Sequence, residues 1–335
     1  MSFDRRYFSR QLALDGIGRE GQQRLAESHA VVVGLGGTGS VMAVNLALAG
    51  VGRLTLVDRD VVSLENLHRQ PTYTIADVGM AKAEVTSRFL RDRVPGLKVE
   101  YNTLNLDRAN ATRLTRGADI AVDCMDNFGG RYALNAACVS QKIPLIHTGG
   151  MGWEASAGVF WSPKTACFEC VFPDSRDGDA PACEDVGVLG ALTSYIASVG
   201  ALEAVKILCG MDSALVGKLL VFDGRRMESH AVRFERRTDC GTCGSGRPAA
   251  AGKSVIELCG GKEVYISGAF PARQFGRVVE GLGDRAKKMG DSIVMARVGA
   301  FEVSLFKGGG MLVKGTSSPD EARRIAGALG LRNEA

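Results

Sequence analysis

The chain has 335 residues, 45% of them apolar and 23% charged, enough for roughly two domains at about 150 residues each. Those fractions exclude intrinsic disorder, and the 43 glycines follow no triplet period, which excludes collagen. Forty-one basic residues against 37 acidic leave a net charge of +4, too small a margin on this length to point to nucleic acid or a membrane surface.

The N-terminus, Met1-Ser2-Phe3-Asp4-Arg5-Arg6, lacks the apolar stretch of a secretory signal. Nine cysteines without such a signal argue for metal or thiol chemistry rather than a disulfide framework, so a soluble, cytoplasmic protein is expected. Residues 4–29 carry a helical pattern with mixed charges. His29-Ala-Val-Val-Val-Gly34 is a β-branched run stopped by glycine, as in a strand buried on both faces of a parallel sheet. A helix from Val41 to Ala49 and a strand from Arg53 to Asp58 complete a βαβ unit. Helix over 81–93, strands over 98–104 and 118–123, helix over 131–141 and strand over 143–147 continue the alternation. The expected fold is α/β, a Rossmann-like doubly wound, mainly parallel sheet with helices on both faces.

Residues 173–185 are polar and acidic, with Pro and Gly, and read as a surface loop. Val186 to Leu202 runs seventeen residues without a charge; it falls short of a membrane span of about 20 residues and reads as a buried core helix. Residues 1–245 are expected to form one domain, 246–253 a Gly/Ala-rich linker, and 254–335 a small α/β domain of unassigned role closing with a helix near 320–329.

Gly34-Leu-Gly36-Gly37-Thr38-Gly39 fits G-x-G-x-x-G between strand and helix, with Asp58 nineteen residues beyond Gly39. The glycines let backbone approach phosphate oxygens at a helix N-terminus, and the acid accepts ribose hydroxyls. This pattern alone does not separate NAD from ATP. Arg69, Lys82, Asp126 and Asn127 tilt the choice: two cations, a carboxylate and an amide suit a triphosphate with its Mg²⁺, and hydride transfer needs none of them. Taken singly, each of these residues also fits a solvated surface or a helix cap.

Arg10 in Phe8-Ser9-Arg10-Gln11, the Gly34–Gly39 loop, Asn66-x-x-Arg69-Gln70, Lys82 and Asp123-x-x-Asp126-Asn127, in this order and spacing, resemble the ThiF/MoeB/HesA family of the ubiquitin-activating superfamily. The resemblance spans residues 3 to about 245. It implies adenylation of the C-terminal glycine of a small ubiquitin-fold sulfur carrier ending in Gly-Gly, with ATP consumed and pyrophosphate released. It further implies that Asp58 holds the ribose, Arg69 and Lys82 the phosphates and Asp126 the Mg²⁺. Arg10 would cross a homodimer interface into the partner's site, and a sulfurtransferase or cysteine desulfurase would be a further partner. A carboxylate attacking a phosphate needs its repulsion screened, and no general base, which is in keeping with only four histidines.

Cys167-Phe-Glu-Cys170 and Cys240-Gly-Thr-Cys243 are two C-x-x-C pairs separated by sixty-nine residues. Together they complete a closed tetrahedral Zn²⁺ site of structural type, whereas a thioredoxin-like redox role would use one pair and leave the other idle. The resemblance places zinc here too. Cys183, at the end of the 173–185 stretch, is a candidate for a covalent link to the activated carrier; its neighbours Glu184 and Asp185 would raise its pKa, which equally fits an incidental thiol. Cys124, Cys138 and Cys209 read as buried apolar residues. Two other classes share part of this pattern. An NAD(P)-linked oxidoreductase would use the glycine loop and Asp58 but leave Arg10, Arg69 and Lys82 unexplained, and a non-catalytic scaffold has no use for a phosphate clamp.

Overall fold

A computed structural model describes residues 4–173, 175, 186–246, 255–257 and 262–331. Cys183 and the greater part of the 246–253 linker lie outside these residues.

The β-branched runs become adjacent parallel strands: β1 (His29–Val33), β2 (Arg53–Val57), β3 (Lys98–Asn102), β4 (Ile120–Asp123) and β5 (Leu145–Met151). Three antiparallel strands extend the sheet, β6 (Glu154–Phe160), β7 (Lys218–Asp223) and β8 (Glu228–Arg233), in the order β3-β2-β1-β4-β5-β6-β7-β8. In register, Ala30 of β1 lies between Leu54 of β2 and Ile120 of β4. Every residue of β1 is buried, because helices cover both faces. Ala30 and Val32 face one core, with Met42, Leu46 and Ile196; Val31 and Val33 face the other, with Leu134, Phe160 and Phe168. That two-sided burial is what a continuous apolar run without alternation requires.

The first core is roofed by α1 (Gly18–Glu27), α2 (Gly39–Ala49) and α7 (Gly190–Cys209). The opposite face carries α4 (Ala111–Leu114), α5 (Phe128–Gln141) and the single turn α6 (Phe168–Val171), and α3 (Lys82–Arg91) leads into β3. Residues 5–17, where a helix is expected from sequence, are a run of turns, and α1 begins only at Gly18. Gly16 and Gly18 take φ of +80° and +52°, which a continuous helix does not accommodate. By length and composition α7 could cross a membrane; here it packs on α2, β5 and β6. Its Gly200 allows the close approach, since a Cβ there would lie 2.6 Å from Met42 Cε and from Thr148 Cγ2.

The C-terminal residues form a second, antiparallel sheet of β9 (Val255–Glu257), β10 (Glu263–Ile266), β11 (Ala286–Met289), β12 (Ile293–Val298), β13 (Phe301–Phe306) and β14 (Met311–Lys314), in the order β11-β12-β13-β14-β10-β9. Helices α8 (Phe275–Leu282) and α9 (Pro319–Ala328) share a core with one face. Helix α9 starts where Ser318 accepts the Glu321 amide and Pro319 occupies the first turn. The other face presents Tyr265, Ile293, Phe306 and Leu312 to Val61 and Ala81, on the chain between β2 and α3.

The turn from β1 into α2 sets the sharpest steric demand. A Cβ on Gly39 would fall 1.7 Å from the Gly34 carbonyl oxygen and 3.0 Å from Cys124 Cβ. We expect Gly39→Ala to lower unfolding free energy by about 3 kcal/mol or more, since neither backbone nor core can retreat. Urea denaturation followed by circular dichroism checks this; a loss below about 1 kcal/mol would show that the turn yields.

Candidate nucleotide site and cysteine cluster

The strand order reverses beside β1, whose neighbours β2 and β4 lead away in opposite directions. In a doubly wound sheet the crevice outside the carboxyl ends at this point receives ligands. Gly34, with φ of +84°, turns the chain out of β1. Asp58, the first residue after β2, fixes the emerging loop: its two carboxylate oxygens accept the Leu35 amide at 2.5 Å and the Asp60 amide at 2.6 Å. Tyr73, which no sequence motif singles out, braces the same loop by donating to the Leu35 carbonyl at 2.8 Å. Ser40 donates to the Gly36 carbonyl at 2.7 Å.

Within the loop the glycines have separate reasons. A Cβ on Gly34 would strike the Cys124 carbonyl at 2.6 Å, and one on Gly37 would press on Thr193 at 3.1 Å. On Gly36 it would meet only Gln70 Nε2, at 3.8 Å. Gly36 therefore faces open space, and the buried Oε1 of Gln70 beside it has no hydrogen-bond partner. An open backbone cradle beside an unsatisfied buried polar atom fits a polar ligand at this spot.

Asn66 and Arg69 lie on a 3₁₀ turn, Leu64–Arg69, and Gln70 is the residue that follows it. Asn66 Oδ1 accepts from Arg69 Nη2 and from Gln70 Nε2, both at 2.9 Å, so the amide orients the guanidinium. Lys82, at the start of α3, is buried and reaches Asp60 Oδ2 at 3.1 Å. Burial works against its charge, but Asp60 and Asp58 raise its pKa and hold it as ammonium. Asp60 is likewise kept low against burial by Lys82 and Arg59. Asp126 lies beyond β4 with its side chain 58% exposed, 4.0 Å from Arg59 Nη2. Asn127, not Asp126, caps α5, accepting the Gly130 amide at 2.8 Å, which leaves the Asp126 carboxylate open to solvent.

Behind this mouth Asp123 is fully buried, accepting the Met125 amide at 3.0 Å and the Nδ1–H of His147 at 2.7 Å. Burial lowers the pKa of His147 against the opposing pull of Asp123, and the bonded pair fixes the β4 turn. Arg59, Asp60, Asn105 and His147 escape sequence reading because each is a lone polar residue without a spaced partner. Arg10 lies in the turn-rich N-terminal segment, exposed, and makes no hydrogen bond or ion pair among the described residues.

The two C-x-x-C pairs meet. Their sulfurs are buried and lie within 4.8 Å of one another, with 3.9 Å between Cys167 and Cys170, 3.7 Å between Cys167 and Cys240, and 3.4 Å between Cys170 and Cys243. Four thiolates at about 2.3 Å from a tetrahedral centre are about 3.8 Å apart, so the cluster fits a closed metal site. The Arg237 amide points at Cys170 Sγ. Cys124, expected from sequence to be buried, is half-buried beside Gly34 and Gly39; desolvation still pushes its thiol up to about 12.

Burial, and then the nearby Asp60, push Asp58 up to about 6. Since the folded protein holds this proton more tightly than the unfolded chain, Asp58 contributes stability that is present below about pH 4 and is lost as pH rises to about 6. We therefore expect Asp58→Asn to flatten the pH dependence of stability between about pH 4 and 6, while lowering stability overall, because the amide can accept only one of the Leu35 and Asp60 N–H groups. An unchanged slope in denaturation curves across that window would refute the buried-carboxylate account.

Comparison with known proteins gives the context. The adenylyltransferase and sulfurtransferase MOCS3 of Caenorhabditis briggsae is 36% identical over 256 residues, covering 76% of this chain and 64% of the relative. The SAMP-activating enzyme E1 of Haloferax volcanii is 39% identical over 240 residues, covering 71% of this chain and 88% of the relative. The chain thus spans less than two thirds of the MOCS3 protein. Among solved structures, E. coli MccB superposes with a TM-score of 0.63 at 23% identity, covering 75% of each chain, and E. coli MccB with ATP gives 0.59 at 24%, covering 67% and 68%; these likenesses concern the fold. Residues 8–242 match the ThiF family's sequence pattern, from the turns before α1 to just past Cys240. The chain belongs to the ThiF family.

Proposed function

We propose that the protein activates a ubiquitin-like sulfur carrier by adenylating its C-terminal glycine. The carrier's carboxylate attacks the α-phosphorus of ATP; the bond from that phosphorus to the bridging oxygen breaks, and pyrophosphate leaves with the electron pair. The observation that carries the reading is the mouth at the β1–β4 switch point: the open Gly36 cradle and the orphaned Gln70 Oε1 lie beside a buried ammonium, Lys82, and an acid, Asp58. The relatives' names, an adenylyltransferase and an activating enzyme, support the same chemistry.

In this reading the loop Gly34, Gly36, Gly37 and Gly39 receives the phosphates, with Asn66, Gln70 and Asn127 shaping the walls. Asp58 keeps a free lone pair on each oxygen for ribose hydroxyls. Arg69 and Lys82 screen the two anions that must meet and stabilise the leaving pyrophosphate. Asp126, the open carboxylate, would hold Mg²⁺, which supplies further charge neutralisation when bound. Arg10 reaches the phosphates of a second copy in a homodimer, consistent with its making no hydrogen bond or ion pair among the described residues. Cys183 is the thiol proposed for a covalent carrier link. The carrier's sulfur would come from a sulfurtransferase or cysteine desulfurase, in the cytoplasm.

ATP–pyrophosphate exchange tests the proposal. Exchange should depend on a carrier ending in Gly-Gly, fall at least a hundredfold in Asp126→Ala and in Arg10→Ala, and recover when those two variants are mixed, since one heterodimer site then has both groups. No carrier-stimulated exchange would sink the activity; no recovery after verified subunit exchange would return Arg10 to the surface.

The four-cysteine cluster is proposed to hold one Zn²⁺ per chain in a structural role, because four protein ligands leave no position for substrate. Elemental analysis should find one zinc per chain. Cys240→Ser should lose the ion and melt earlier, since closing such a site contributes folding energy. Freshly purified wild-type protein free of zinc would count against the assignment.

A further inference from the structure

The residue after Asp58 does something that the adenylation chemistry does not by itself require. Arg59 leaves the end of β2 with its side chain only 11% exposed. Its Nη1 donates to Asn105 Oδ1 at 2.7 Å, Nη2 lies 4.0 Å from Asp126 Oδ1, and Nε lies 3.9 Å from Asp60 Oδ1. Asn105 follows β3 and Asp126 follows β4. One guanidinium therefore bridges the carboxyl ends of strands on both sides of the crevice.

What holds it down comes from the other domain. Arg59 Cζ sits 5.8 Å from the ring centroid of Tyr265, within range of a cation–π contact. Tyr265, on β10, is 1% exposed and packs against Phe306 with centroids 5.9 Å apart. Gly310 closes on it so tightly that a Cβ there would lie 1.9 Å from the Tyr265 hydroxyl oxygen. The ring cannot withdraw. Polar contacts fix the same interface: the Asp291 amide donates to Glu84 Oε1 at 2.9 Å, and Ser292 Oγ lies 3.4 Å from the Tyr101 hydroxyl.

We infer that the C-terminal domain is a working part of the nucleotide site, with Tyr265 fixing Arg59, and Arg59 in turn holding the carboxylate of Asp126 at the crevice. The inference rests on the adenylation reading for the identity of the ligand. Its physics is charge balance and order. Asp58, Asp60 and Asp126 line a mouth that must admit a polyphosphate, and Arg59 offsets their field on the side away from Lys82. A free arginine would spread over many rotamers; one within cation–π range of a buried ring and bonded to Asn105 presents its charge in one place. Both residues are positioning residues.

Calorimetric titration of the full chain with ATP and Mg²⁺ tests this without any carrier. Arg59→Met should weaken ATP about tenfold. Tyr265→Met, which keeps buried apolar volume but removes the ring face, should weaken it about fivefold, and Tyr265→Phe should stay within twofold of wild type. The double variant Arg59→Met with Tyr265→Met should be no weaker than Arg59→Met alone, because the ring acts only through the arginine. A merely structural Tyr265 would lower the melting temperature while its effect on affinity vanished or multiplied with that of Arg59; either result overturns the inference. Hydrogen exchange on the wild-type protein gives a second readout independent of variant folding. By reciprocity, ATP should slow exchange of the β10 amides around Tyr265 at least threefold, and no change there would also refute the coupling. Wild-type protein that fails to bind ATP overturns the adenylation reading and this inference with it. Wild-type protein that binds ATP, with variants that bind equally, overturns the inference alone.

Discussion

A single buried carboxylate organises the nucleotide end of this molecule. Asp58 accepts the amide of Leu35 on one oxygen and that of Asp60 on the other, so the loop leaving β1 and the chain leaving β2 are tied to the same group. The tie dictates where Gly34 must turn, and the turn brings Gly39 so close to the Gly34 carbonyl that no side chain fits. The start of α2, the open face of Gly36 and the placement of Gln70 all follow from that turn. Burying the acid has a cost, visible in its raised pKa, and the surrounding charges are arranged around that cost. Lys82 and Arg59 are each buried beside carboxylates rather than left in solvent, as buried charges must be.

The site is consequently a balanced cluster rather than a patch of one sign. Asp60 pairs with Lys82, Arg59 leans toward Asp126, and Asn66 aligns Arg69. Such a cluster binds a polyanion by geometry as well as charge, since each cation is already oriented before ligand arrives. Beneath it the Asp123–His147 pair and the aromatic rings of Phe160, Phe168 and Phe172 form a dry floor for the β4 turn. The same Phe168 begins the helical turn that carries Cys170, so the floor of the nucleotide end continues into the cysteine cluster.

The parallel half of the sheet was legible because strands buried on both faces leave a crude signal: His29–Val33 and Ile120–Asp123 are apolar almost throughout. Strands β6 and β8 left none. The first reads Glu-Ala-Ser-Ala-Gly-Val-Phe, and the second, at the sheet edge, is exposed along its whole length, so neither strand carries an apolar run or a clear alternation. The glycine loop, the cysteine pairs and Lys82 were readable because spacing alone identifies them. Arg59 and Tyr265 were not. Their meeting is a property of tertiary structure, joining the chain after β2 to a strand of the second sheet, and no local pattern encodes it. The N-terminal segment misled for a local reason, its helical periodicity being interrupted by glycines at positive φ.

The cysteine cluster has a topological consequence. One pair lies just after β6 and the other just after β8, so an ion seated among the four sulfurs would convert everything between them, including α7 and the outer strands, into a closed ring. Closing a ring of this size removes about 4 kcal/mol of chain entropy from the unfolded state on the loop-closure model. It also changes what a cut means. A backbone nick anywhere between Val171 and Asp239 would leave both pieces tethered to one molecule through metal–sulfur bonds, and the edge of the sheet would part from the nucleotide fold only when the ion was taken away.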